Sequence, residues 1–145
     1  MTVTKLSEHV SGGTPHRVLQ PADWVKPIGY SNGMEARGRT VFVGGQIGWN
    51  GQCQFETDDF VGQVRQTLEN IVAVLKAGGA EPHHITSMTW YFTDKKEYAA
   101  NLRGIGQAYR DVIGRHFPAM AAVQVVALVE DRAKIEIQAT AVVSD

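Results

Sequence analysis

The chain has 145 residues, 43% apolar and 20% charged, enough for one globular domain whose core needs no disulfide or metal staple. Its net charge of −1 supplies no basic field for nucleic acid or an anionic membrane, and no stretch approaches the ~20 apolar residues of a membrane span. The one cysteine, Cys53, rules out an intrachain disulfide framework and fits a reducing cytoplasm.

Residues 1–15 are polar and include SGGTP, which reads as a flexible arm ahead of a single domain over 16–145. RTVFVGGQI (39–47) is a β-branched and aromatic run ended by glycines, a strand entering a Gly-rich turn, and the GRT that opens it reads as a hairpin turn. From Asp58 the apolar residues Phe60, Val64, Leu68, Ile71 and Leu75 recur with helical period, so a helix capped by Asp58 and ended by Gly78-Gly79 is expected. ITSMTWYF (85–92) is a strand expected parallel to the first across that helix, a βαβ unit.

Tyr98, Leu102, Ile105, Tyr109 and Val112 or Ile113 predict one second helix, which stops before Phe117-Pro118 because a residue preceding proline is pushed out of helical geometry. AAVQVVALV (121–129) and KIEIQATAVV (134–143) read as a closing hairpin about Glu130 to Ala133. The sum is an α+β sheet with two amphipathic helices on one face. In the last strand Ile135, Ile137, Ala139 and Ala141 alternate with Lys134, Glu136, Gln138 and Thr140, so the first set should meet the helices. The other face has no helix left to cover it, which predicts a homo-oligomer with clefts between subunits.

Five histidines invite a metal reading, but His83-His84 are adjacent, their side chains diverge, and no HExxH spacing supports them. GGQIGWNGQ (44–52) lacks the spacing of a phosphate loop, no GxSxG elbow exists, and Cys53 has no histidine close to it in sequence. Asp58-Asp59 are explained by capping and the helix dipole. Glu136 is different: it lies mid-strand on the face without helices, where a carboxylate needs water or a partner, so an interface role and a water-positioning role both stand. Trp49 and Trp90 are packing anchors or pocket walls. In HFPAMAAVQVVAL (116–128), Met120 stands where a helix has ended and a strand begins, a rim position that a ligand can reach.

IGYSNG (28–33), VFVGGQI (41–47), VRQTLENIVAVLKAGGA (64–80), HFPA (116–119) and KIEIQATAVV (134–143), in that order, resemble the Rid family, the YjgF-type reactive intermediate deaminases also called L-PSP endoribonucleases. The resemblance covers nearly everything from Pro27 on. It implies a chorismate-mutase-like fold, a trimer with an inner barrel, intersubunit sites for small imines or enamines, and no metal or organic cofactor. Glu136 matches the family's water-positioning glutamate, and Gly29 the glycine of its N-terminal motif.

Other positions depart from the family. Met120 replaces the arginine that holds the substrate carboxylate, Gly44 a common serine and Ala122 a frequent cysteine. Gly106 falls where a helix asparagine is often found, and Ser31 roughly where a tyrosine is expected beside Tyr30. Loss of a charge-assisted pair worth roughly 1.5–3 kcal/mol weakens small-carboxylate binding about ten- to a hundredfold. A wider, less polar cleft is implied.

As substitute cations, Arg115 and His116 lie just before Phe117, whereas Arg103 and Arg110 flank the buried stripe and read as solvated or interfacial. The expected catalytic residue is Glu136. The expected ligand-contacting positions are Tyr30, Ser31, Gly44, Gly45, Trp49, Trp90, Gly106, Met120 and Ala122. The leading expectation is a cytoplasmic homotrimer that binds a small metabolite and hydrolyses an imine, with no nucleic-acid or membrane partner. A non-catalytic ligand-binding module is the alternative, and an endoribonuclease a third, disfavoured by the charge.

Overall fold

The computed structural model describes residues 13–145. The arm expected over 1–15 therefore lies, up to residue 12, outside the described residues. Thr14 and His16 are buried: the Thr14 hydroxyl donates to the His83 carbonyl at 2.7 Å and His16 Nε2 to the His84 carbonyl at 2.9 Å.

Two short strands, β1 (Arg17–Leu19) and β2 (Gly33–Glu35), pair antiparallel as a separate ribbon. The main sheet has four strands, β3 (Arg39–Ile47), β4 (Ile85–Phe92), β5 (Ala119–Gln124) and β6 (Ile135–Val143), in the order β3-β6-β4-β5. β6 is antiparallel to both β3 and β4, and β4 is parallel to β5.

This order corrects two expected hairpins. β2 pairs with β1 and not with β3, so GRT is no hairpin turn. β5 and β6 are not neighbours either, because β4 lies between them. β5 ends at Gln124, and the apolar stretch after it is irregular up to β6. The parallel relation of β3 and β4 holds in direction, with β6 inserted between the two.

Helix α1 (Phe60–Ala77) buries the expected stripe, with Val64, Leu68, Ile71 and Leu75 fully inaccessible. Each such side chain contributes roughly 1.5–3 kcal/mol relative to exposure. Its cap is Asp59, whose carboxylate accepts from the Gly62 N–H at 2.8 Å, and not Asp58, which pairs with Arg132 at 3.0 Å. The second helical segment is two helices, α2 (Lys95–Ala100) and α3 (Leu102–Val112). Asn101 breaks the run at φ −116° and returns its side-chain amide to the Glu97 carbonyl.

The helices cover one face, where Ile135, Ile137, Ala139 and Ala141 join Met88, Trp90 and Phe92 of β4 in the core, as the alternation predicts. The opposite face carries Glu136, Gln138 and Tyr91, whose hydroxyl donates to the Gln138 side chain at 2.9 Å. On that side Phe42 and Val123 are exposed in the single chain. No helix of the described residues is long and apolar enough to cross a membrane.

Candidate functional site

Helix α3, β4 and the start of β5 line a cavity of about 590 Å³. Its floor is aromatic: Trp90 and Tyr109 have ring centroids 6.3 Å apart, and Tyr109 stacks on Phe117 at 5.7 Å. Tyr98, itself stacked on Phe92 at 4.3 Å, closes one end. Register sets the strand wall. Met88 faces Met120 and Trp90 faces Ala122, so Met120 and Ala122 share the helix side of the sheet and line the cavity.

Ile28, Gly29 and Tyr30 form the outer wall. They are held there because Ser31 bridges to Ala119, its N–H donating to the Pro118 carbonyl at 3.0 Å and its hydroxyl to that of Phe117. Ser31 is thus a buried anchor of the wall and not part of its lining. Gly106 of α3 completes the set that sequence reading places here: Tyr30, Trp90, Gly106, Met120 and Ala122.

The remaining expected residues lie elsewhere. Glu136 alternates with Ile135 and Ile137 and so belongs to the face opposite the helices. Gly44 and Gly45 form the bulge between Val43 and Gln46 on β3, and a Cβ at Gly45 would stand 2.1 Å from Glu136 Oε2. Only a glycine leaves that carboxylate its place. Trp49 sits in the turn after β3, against Phe55 with ring centroids 5.8 Å apart, and its carbonyl accepts from the Asn70 amide at 2.7 Å. It is a packing residue of that turn and does not line the cavity.

Arg110, expected to be solvated or interfacial, is exposed and also lines the cavity from α3. The signal for the lining position was its spacing, one helical turn after Gly106. His116 is occupied structurally: its Nε2 donates to the Ile85 carbonyl at 2.7 Å, and its own carbonyl accepts from the Tyr109 hydroxyl. Burial drives the Tyr109 phenol far above the usual range and raises that of Tyr98, so both stay neutral near pH 7. Trp90 is buried, and its indole N–H has no acceptor among the described residues. No group of three or more His, Cys, Asp or Glu gathers into a metal-like cluster among the described residues. Cys53 is exposed and free, at φ 61° in its turn.

Fold and cavity together define an α+β protein with a pocket between a helix and the sheet edge. A family model described as endoribonuclease L-PSP matches residues 25–143, and the chain belongs to that family, the Rid or YjgF group. A RutC family protein of Pyrococcus horikoshii is 36% identical over 118 residues, 80% of this chain and 89% of the relative. A 2-iminobutanoate/2-iminopropanoate deaminase of Capra hircus is 31% identical over 105 residues, 72% of this chain and 73% of the relative. A Rid-family crystal structure from Yersinia pestis, of a protein of unknown function, superposes with a TM-score of 0.79 at 31% identity, covering 88% of this chain and 98% of that one.

Proposed function

We propose that the protein is a hydrolytic imine deaminase, a homotrimer whose intersubunit clefts take a small metabolite. The observation that carries this reading is the convergence of Tyr30, Trp90, Gly106, Met120 and Ala122 on one cavity, in a chain similar to a 2-iminobutanoate/2-iminopropanoate deaminase. Glu136 and Gly45 occupy the other side of the sheet, so a neighbouring copy packed on the uncovered face is needed to bring a carboxylate to the ligand. Phe42 and Val123 supply apolar surface for that packing.

In the reaction, water adds to the C=N carbon, both of its protons pass to the nitrogen, one of them by way of the Glu136 carboxylate, the C–N bond breaks, and a 2-oxo acid and ammonia leave. Glu136 would accept the proton of the attacking water through a hydrogen bond, and Tyr98 and Tyr109, neutral at working pH, would serve as walls and not as bases.

Ammonia release from freshly generated 2-imino acids tests the reading. Wild type should accelerate it, and Glu136→Gln should slow it about a hundredfold. No acceleration over buffer, or an unaffected Glu136→Gln variant, overturns it. Light scattering should give a trimer, and a monomer at micromolar concentration would remove the intersubunit cleft.

A second reading, a ligand-binding module without turnover, is favoured by Met120 and Ala122. They leave the strand wall of the cavity without a charged or nucleophilic group.

A further inference from the structure

We propose that Arg110 holds the anionic group of the ligand in this cavity, and that the ligand is a bulky, mostly apolar monoanion such as a 2-imino or 2-oxo acid with an aromatic or branched side chain. The imine part of this statement rests on the deaminase reading; the anion part does not.

Three observations place the charge. First, Arg110 is the one charged residue among those lining the cavity in the described part of the chain. Second, its guanidinium lies over bare backbone: a Cβ at Gly106, one turn earlier, would be 3.3 Å from Arg110 Nη1. A side chain extending from position 106 would compete for that space, so the glycine and the arginine make a pair.

Third, Arg110 is oriented and exposed, and it feels the charge of Asp111 without a direct ion pair to it. Its Nη2 donates to Gln107 Oε1 at 3.3 Å, while the Gln107 amide is fixed by donating to Asp111 Oδ1 at 2.8 Å. Asp111 is in turn engaged by Arg65 at 2.9 Å, and Arg110 enters no ion pair among the described residues. A guanidinium held at one nitrogen and open at the others suits a carboxylate.

The rest of the cavity sets the ligand's body. Trp90, Tyr109, Phe117 and Met120 offer flat and soft apolar surface, and about 590 Å³ exceeds what a two- or three-carbon acid fills.

The test uses phenylpyruvate, the stable product of the corresponding imine, beside benzyl methyl ketone, which lacks the carboxylate, and pyruvate, which lacks the ring. Wild type should bind phenylpyruvate at least about tenfold more tightly than either. Arg110→Gln should lose about ten- to a hundredfold for phenylpyruvate with the neutral ketone unchanged.

Equal affinity for acid and ketone, a preference that survives Arg110→Gln, or no phenylpyruvate binding overturns the assignment. Equal affinity for pyruvate overturns the size of the ligand. Ammonia release from the phenylalanine-derived imine, measured in parallel, separates the two readings. Carboxylate discrimination without turnover removes the deaminase and keeps Arg110, whereas turnover with an unchanged KM in Arg110→Gln removes Arg110 and keeps the deaminase.

Discussion

Gly45 and Glu136 share one space: the β-carbon that any other residue would bring to position 45 falls 2.1 Å from the Glu136 carboxylate oxygen. The obstructed atom is the end of a flexible side chain, so the carboxylate moves and the backbone does not. Gly45→Ala should therefore change stability by less than about 1 kcal/mol in urea unfolding, yet lower turnover as far as Glu136→Gln does. The double variant should be no worse than either single one, since both remove the same group. Additive losses would show that Gly45 acts by another route.

Gln63 is fully buried and joins three chain segments. Its amide nitrogen donates to the carbonyls of Thr57 at 3.2 Å and Arg132 at 3.0 Å, and its oxygen accepts from the Lys134 N–H at 2.9 Å. Gln63→Leu keeps the volume and orphans all three, at about 1–3 kcal/mol for each group that water cannot reach. We expect a loss of about 3 kcal/mol in denaturant unfolding. A loss under about 1 kcal/mol would mean that water replaces the amide.

Burial, together with the nearby His83 and His16, holds the His84 imidazole below its ordinary value of 6.5, and its Nδ1 accepts the Glu81 N–H at 3.0 Å. The unfolded chain therefore takes up this proton at higher pH than the folded one. Stability is intact above 6.5 and falls as the pH drops below it. Thermal midpoints should decline as the pH is taken below 6.5, and less steeply in His84→Asn, which keeps an acceptor and cannot titrate. Identical slopes would assign the decline to other groups.

Local periodicity made α1 and β6 legible, because Leu68, Ile71 and Leu75 or Ile135 and Ile137 each declare a buried face within their own element. Strand pairing was not legible, since nothing in Val125, Val126 and Leu128 tells an irregular apolar segment from a strand that pairs. Val126 is in fact fully exposed in the single chain. Of the site, the strand and loop positions were readable because the family resemblance marks them, and the fold then brings them together: Met120 shares a face with Trp90 and Ala122, and Tyr30 is held by the Ser31 bridge. Arg110 was not, because its approach to the cavity depends on the rotation of α3, and the break at Asn101 resets that rotation. Glu136 was placed on the correct face, but its separation from Met120 emerges only when the sheet is assembled.

The position of β6 between β3 and β4 also governs the birth of the molecule. Its nine residues follow every other strand in the chain, yet they supply the inner hydrogen-bonding partner for two of them. During synthesis β3 thus emerges without its sheet partner and β4 with only β5 to pair, and the long-range closure made by β6 must precede the four-stranded sheet. A ribosome stalled before residue 135 holds a chain that can form helix α1 but has no centre for its sheet. Folding of the domain is in this sense a single late event, committed only when its innermost strand arrives.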